Sequence, residues 1–451
     1  MADLSSLAID VPEVLVPADH VDLRRWAVVA CDQYTSQRAH WENLREQVGE
    51  APSTLDLIFP EAYLGDGDEA RRVAGIHARM RGYLERDLLR SPGRGFVYVE
   101  RTTHRGATRR GLMVALDLSH YDYRPGARTL ARATEETLEQ RLPARLRVRE
   151  GAALELSHVL VLIDDPDHGV IAPLESEVAG QTPLYDTPLL EGAGHLRGWL
   201  VSRGPQIERI ARALSELADP RAPERRDGDS DAAGLLYAVG DGNHSLAAAR
   251  LAWDRLRERL SPAEAARHPA RHALVELVNL HDPGLVFEPI HRVVFEIEPD
   301  DLLAALPGWF AERGIRCRRT ELGGAAELSE RMRELAGGPS APHRIGYAAG
   351  SAAGLIEIEP GADALAVEAL QEFLDAQVGK YPEASIDYIH GDEVVRGLAA
   401  GPRRIGFYLP ALDKRSLFAA VISGGVLPRK SFSLGEASEK RFYMEVRRIE
   451  P

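Results

Sequence analysis

An α/β fold in two regions is predicted by three observations. Short apolar runs of strand length alternate along the chain with segments whose apolar residues recur at helical spacing. Hydrophobic residues make up 44% and charged residues 27%, the balance of a packed globular protein rather than a disordered one. The 451 residues exceed what one ordinary core holds, so two or three domains, or one heavily inserted domain, are expected.

The first element, in RRWAVVACDQYTSQRAHWENLREQVG, reads as a buried strand from Trp26 to Ala30. A turn follows, then a helix with Trp41, Leu44 and Val48 on one face. Asp32 thereby falls where a strand ends and a helix begins. From Gly95 to Leu118 the β-rich runs GFVYVERTT and GLMVALDLS flank the basic turn HRGATRR as a hairpin. RATEETLEQRL then reads as a short helix, LRVRE as a strand with Arg145, Arg147 and Arg149 on one face, and HVLVLIDDP as the next buried strand. A helix at about Gly204 to Ala218 precedes ADPRAPERRDGDSDAAG, an expected exposed loop. GLLYAVGDGNHSLAAARLAWDRL gives strand, tight turn and long helix in immediate succession. Around Pro299 the pattern changes: helices DLLAALPGWFAERG and ALAVEALQEFLDAQVG alternate with strands IGYAA and IGFYLP, and FYMEVRRI is the last strand. The expected division is a core with insertions over 1–298, a second α/β region over 299–427, and a segment 428–451 returning to the core or the active site. No repeat of fixed period is present.

A net charge of −14 argues against nucleic acid as a partner, because a polyanion is held by clustered Lys and Arg that release counterions. Cys31 and Cys317 have no CxxC spacing and no Cys/His framework for zinc, which fits a reducing cytoplasm. No leader pattern opens the chain and no apolar run approaches the ~20 residues of a membrane helix, so a soluble cytoplasmic protein is expected, with no membrane partner.

The chemistry is expected at VGDGNHSLAAAR. Where a strand runs into a helix, the first helical N–H groups lack partners and the dipole adds partial positive charge, so an anion is welcome. Gly240 and Gly242 permit an unusual backbone path, Asn243 and Ser245 offer capping side chains, and His244 adds a ring donor. Asp241 is then placed to hold a divalent cation on the phosphate oxygens. From these residues alone, a structural Asp-Gly turn with Ser245 as helix cap is an equal alternative.

The turn resembles the Asp-Gly-His-His-Arg turn of the free serine kinases, members of the ParB/sulfiredoxin-like superfamily. Asp241 and Gly242 match its Asp and Gly, His244 matches its second His, and the Ala-rich helix corresponds. In those kinases an acidic residue just before an N-terminal helix is the base on the serine hydroxyl; Asp32, in ACDQYTSQ, has the like position. The segments ACDQYTSQ, RATEETLEQRLPARLRVRE, LVLIDDP, GDGNHSLAAA, LVNLHDPGLVFEPIHRVV and LPRKSFSLGEASEKRFYMEVR run through most of the chain. On them it is identified as a member of the domain of unknown function 1015 family. The resemblance implies a ParB/sulfiredoxin-like core with large insertions plus a second α/β region, and a magnesium-dependent phosphotransferase that makes O-phosphoserine from free L-serine. Asp32 would be the base, Asp241 the metal-side carboxylate, and Gly242 to Ser245 the donor cradle.

Two departures follow. Asn243 replaces the family's first His and Ser245 its Arg, so a cation for the donor phosphate must come from elsewhere. Candidates are Arg145, Arg147 and Arg149, the His291-Arg292 pair, and Lys430, which with Ser431 and Ser433 lies in a segment composed like an anion-handling loop. The arginine trio is equally the solvated face of a strand. With no GxxxxGK[ST] and no credible GxGxxG, pyrophosphate is expected as donor ahead of a nucleotide. His281 and Asp282 read as a metal or base pair, or more simply as an Asx-type turn. Asp387, Tyr388 and His390 are a candidate polar cluster on the substrate side. The alternatives in function are a nucleotide-binding switch, taking CTP or ATP, and a non-catalytic binder of a phosphorylated metabolite.

Overall fold

The computed structural model describes residues 4–138, 140, 142–219, 234–335, 342–359, 365–428 and 430–451. Residues 220–233, most of the expected exposed loop, lie outside them. The architecture is mixed α/β, in two compact units: residues 1–286 with 437–451, and 287–436. The divisions thus fall at 286/287 and 436/437, because the strand Phe287–Phe295 and the strand Phe432–Leu434 pair with each other inside the second unit.

The first unit is built on a ten-stranded sheet. Its order runs Tyr185–Pro188, Gly194–Val201, Phe96–Thr103, Thr108–Asp117, His272–Asn279, Leu160–Ile163, Tyr237–Asp241, Ala131–Ala133 and Tyr121–Asp122, with Ile9–Asp10 paired outside this path to Thr108–Asp117. The expected hairpin forms as Phe96–Thr103 against Thr108–Asp117. The central strands are almost wholly buried, which is why they read as continuous apolar runs rather than alternating ones. Tyr237–Asp241 is antiparallel to Leu160–Ile163 and parallel to Ala131–Ala133, and its register slips between Val239 and Asp241, at Gly240. The Asn243–Arg257 helix starts two residues past the strand's end.

The second unit has a seven-stranded sheet covered on both faces. Val294, Phe310, Ile345, Phe373 and Phe407 pack on one side, and Val293, Leu328, Val395 and Tyr408 on the other. Adjacent Val293 and Val294 point to opposite faces, as the two-residue period of a strand requires.

Three local expectations are corrected. Arg145, Arg147 and Arg149 lie on a helix, Leu142–Arg149, because Leu142 and Leu146 recur at helical spacing and are the buried pair. RATEETLEQRL is not one helix: Ala131–Ala133 joins the sheet, and Thr134 N–H donates to Asn243 Oδ1 at 3.3 Å. Trp26 to Ala30 is not a strand; Leu23–Trp26 is a short helix capped by the Asp22 carboxylate, and only Val29 bridges, to Phe442. In the last segment the strand is confined to Val446–Arg448.

Candidate active site

At the start of the Asn243–Arg257 helix, Gly242 is the cap residue, with φ +78°. A Cβ there would stand 3.0 Å from Val159 Cγ2 and 3.1 Å from Val159 Cα, so both the backbone angle and the space demand glycine. Asp241 accepts the Gly242 N–H at 3.0 Å through Oδ1 and faces Lys440 Nζ at 3.1 Å through Oδ2. Lys440 is buried, where an ammonium is kept only with a partner, and Asp241 is that partner.

The side chains of the turn divide in two. Asn243 points inward: its amide donates to Val239 O at 3.3 Å and its Oδ1 serves Thr134, so it locks the turn to the sheet and does not cap the helix. His244 accepts the Leu138 N–H at 3.1 Å through Nε2, which leaves Nδ1 as the protonated nitrogen of a neutral ring. Ser245 faces the site, with Oγ 3.1 Å from His158 Nε2.

His158 joins the turn to Asp32. Its Nε2 also lies 3.4 Å from Asp32 Oδ2, and its Nδ1 is 2.7 Å from the Tyr443 hydroxyl, which accepts the Cys31 N–H at 3.2 Å. Burial works against the imidazolium, but the charge of Asp32 and the bond to it outweigh burial, so the His158 pKa is raised. Burial likewise opposes ionisation of Asp32; the charge and hydrogen bond of His158, the Gln33 amide at 3.0 Å and the charge of Arg145 prevail, holding the carboxyl well below its ordinary range. In this state both ring nitrogens donate, Nδ1–H to Tyr443 and Nε2–H toward Ser245 and Asp32. Burial, then the charges of Asp32 and Glu61, push the Cys31 thiol up to about 12, which disfavours the thiolate.

The structure therefore brings together Asp32, Asp241, Gly242 and Ser245, and adds Lys440, His158 and Tyr443. Arg145 lies close enough to act on the charge of Asp32 and is paired with Glu61. Arg149 pairs with Glu155 at 2.6 Å, and Arg147 is exposed. His291, Arg292 and Lys430 belong to the second unit. There His291 Nε2 donates to Asp392 Oδ1 at 2.8 Å, and Arg292 donates to Gln371 Oε1 at 2.9 Å and to the Lys430 carbonyl at 3.0 Å, with its guanidinium 4.7 Å from the centre of the Tyr388 ring. Asp387, Tyr388 and His390 stand on the strand Ser385–His390. Asp282 forms the Asx-type turn, accepting the Gly284 N–H at 2.7 Å, and His281 Nε2 bonds Asp164 at 2.7 Å.

Sequence reasoning missed His158, Lys440 and Tyr443. His158 stood at the head of a segment read only as a strand, and Tyr443 lies 285 residues from it. Among the described residues no group of three or more His, Cys, Asp or Glu is arranged to hold a metal ion, and no helix is long and apolar enough to cross a membrane.

A family model described as "Protein of unknown function (DUF1015)" matches residues 15–377. Among solved structures, a free serine kinase in complex with AMP is similar over 75% of this chain and 91% of its own, at 10% identity and a TM-score of 0.36. A conserved hypothetical protein from Pyrococcus furiosus is similar over 75% of this chain and 95% of its own, at 10% identity and a TM-score of 0.34. SbnI with a C-terminal truncation, from Staphylococcus aureus, is similar over 71% and 81%, at 10% identity and a TM-score of 0.29. No protein with a curated description matches the chain in sequence.

Proposed function

The chain belongs to the DUF1015 family, and from that premise we propose that it is a phosphotransferase, moving a phosphoryl group from a small donor to the hydroxyl of a small acceptor. One observation carries the reading. Two buried cationic groups, Lys440 beside Asp241 and His158 beside Ser245, flank a helix N-terminus, with the carboxylate of Asp32 at 3.4 Å from His158. Phosphoryl transfer asks for that combination: charge neutralisation around the phosphate and an acceptor for the hydroxyl proton.

In this reaction the acceptor oxygen forms a bond to phosphorus as the bond from phosphorus to the donor's leaving oxygen breaks. Asp32 takes the hydroxyl proton. A carboxylate of lowered basicity serves here, because a loose transition state leaves most of the catalysis to positioning and charge neutralisation. Lys440, His158 and the first amides of the Asn243–Arg257 helix hold the phosphate. Lys440 and His158 supply the cations whose absence from the turn, with Ser245 in place of Arg, the sequence left open. Magnesium brought on the donor's phosphates needs only one or two protein carboxylates, and Asp241 would be that ligand. When bound, the ion neutralises phosphate charge.

Free L-serine is the acceptor to which the turn's likeness to the serine kinases points, and pyrophosphate the donor favoured by the lack of a nucleotide-binding glycine motif. Incubating the protein with magnesium, serine and pyrophosphate, ADP or ATP in parallel tests both. Phosphoserine formed fastest with pyrophosphate is expected. A preference for either nucleotide overturns the small-donor assignment, and no phosphoester with any donor overturns the activity.

A further inference from the structure

Ser245 Oγ and His158 Nε2 are bonded directly, at 3.1 Å, and both residues line a cavity of about 140 Å³ that is lined also by the ion pairs Arg145–Glu61 and Arg149–Glu155. Among the described residues Ser245 Oγ bonds only to His158. Where the charged ring donates Nε2–H to that oxygen, the serine's own proton is left for a ligand at the helix N-terminus. The other ring nitrogen, Nδ1, lies 2.7 Å from the Tyr443 hydroxyl, which also accepts the Cys31 N–H at 3.2 Å and directs its own proton at the Cys31 sulfur. Tyr443 is therefore an acceptor toward the ring. Nδ1 keeps its proton, and the proton His158 can give up is the one on Nε2, toward Ser245 and Asp32. The charges acting on the ring are those of Asp32, Asp241 and Arg145.

We infer, on the phosphotransfer reading above, that Ser245 is a catalytic residue: backed by His158, with Tyr443 as the positioning residue of that ring, it delivers a proton to the oxygen that leaves phosphorus. As the acceptor oxygen bonds to phosphorus and the bond to the leaving phosphate breaks, Asp32 takes the acceptor's proton. Ser245 Oγ–H passes its proton to the leaving oxygen, and the Nε2 proton of His158 replaces it. His158 is then neutral and Asp32 protonated; return of that proton across the 3.4 Å between them restores both charges. A pyrophosphate donor needs such an acid, because the orthophosphate it expels is a far stronger base than the nucleoside diphosphate expelled from ATP.

The test has two arms, with the full chain in both. In the first, nitrogen NMR of protein carrying labelled histidine follows His158, assigned by its loss in His158→Gln, as pH rises through its titration. The wild type is expected to keep the proton on Nδ1 and lose it from Nε2, and Tyr443→Phe, where folded by circular dichroism, to show the reverse. A wild-type ring that keeps Nε2–H, or a folded Tyr443→Phe with the wild-type tautomer, overturns the inference. In the second arm, phosphoserine formation is measured with pyrophosphate and with ATP. Ser245→Ala should lower kcat by about 10²-fold or more with pyrophosphate and by less than about 10-fold with ATP. Equal losses with both donors, or a wild type that uses ATP alone, overturn the inference and leave phosphotransfer standing. Where pyrophosphate is the sole donor, Ser245→Thr replaces ATP as the control: recovery of most of the lost kcat is expected, and turnover no better than that of Ser245→Ala overturns the inference. No phosphoester from any donor overturns the phosphotransfer reading and the proton delivery with it.

Discussion

Asp32 and His158 hold opposite charges that neither would keep alone in a buried setting, and this governs how the site responds to pH. His158 has a raised pKa, so its share of the pair's stabilisation is complete below the ordinary histidine value of 6.5 and is lost as pH rises through the raised one. Asp32 has a lowered pKa; its share is present above the ordinary carboxylate value of 3.8 and is lost as pH falls through the lowered one. The pair therefore stabilises across the interval between, and His158→Gln should remove the alkaline loss from a plot of unfolding free energy against pH. An unchanged alkaline limb in that variant would show that His158 is neutral in the folded protein. Asp32 was singled out in the sequence by its place between an expected strand and a helix, although no strand forms there and the helix begins only at Arg38. His158 was not, because a histidine heading an apolar run has no local feature to separate it from a core residue, and its partners lie 87 and 285 residues away.

The strand–turn–helix from Tyr237 to Arg257 was readable because its signals are local: an apolar run, two glycines, then alanines at helical spacing. Gly242→Ala should cost about 1–3 kcal/mol in urea unfolding, from its φ of +78° and the contact with Val159. A loss under half a kcal/mol would mean that the turn relaxes freely. The helix Leu142–Arg149 was misread because its arginines alternate while only two leucines carry the helical period. Lys440 and Tyr443 were out of reach of sequence reasoning for another reason: what positions them is Arg441 between them. Its guanidinium is buried among Glu276, Glu445 and the Ser157 carbonyl, the last at 2.8 Å from Nε and next in chain to His158. Arg441→Met leaves Glu445 without its cation and Glu276 with Arg109 at 3.6 Å, and should cost about 3–5 kcal/mol, the usual penalty for breaking a buried pair. A drop in donor affinity should accompany it. A variant as stable as the wild type would contradict the clamp.

At the scale of the whole chain, two regions were legible from the change of pattern near Pro299, but not the paths across their borders. Strand Phe287–Phe295 reads as a continuation of what precedes it, and its pairing with Arg404–Tyr408, Ser385–His390 and Phe432–Leu434 assigns it to the second sheet. Because that unit has apolar packing on both faces of its own sheet, residues 287–436 alone should unfold cooperatively on heating; a gradual loss of ellipticity would contradict its independence. The first unit is discontinuous and takes Lys440 and Tyr443 from its C-terminal piece, so its activity should require residues 437–451. The central claim is a division of labour within that unit: Asp32 acts on the hydroxyl, Lys440 on the phosphate. It is tested most directly by steady-state kinetics of Asp32→Asn and Lys440→Ala with the donor varied. Asp32→Asn should lower kcat by about 10²-fold or more with donor KM little changed, and Lys440→Ala should raise donor KM. Turnover by Asp32→Asn close to that of the wild type, with every donor, would contradict the account.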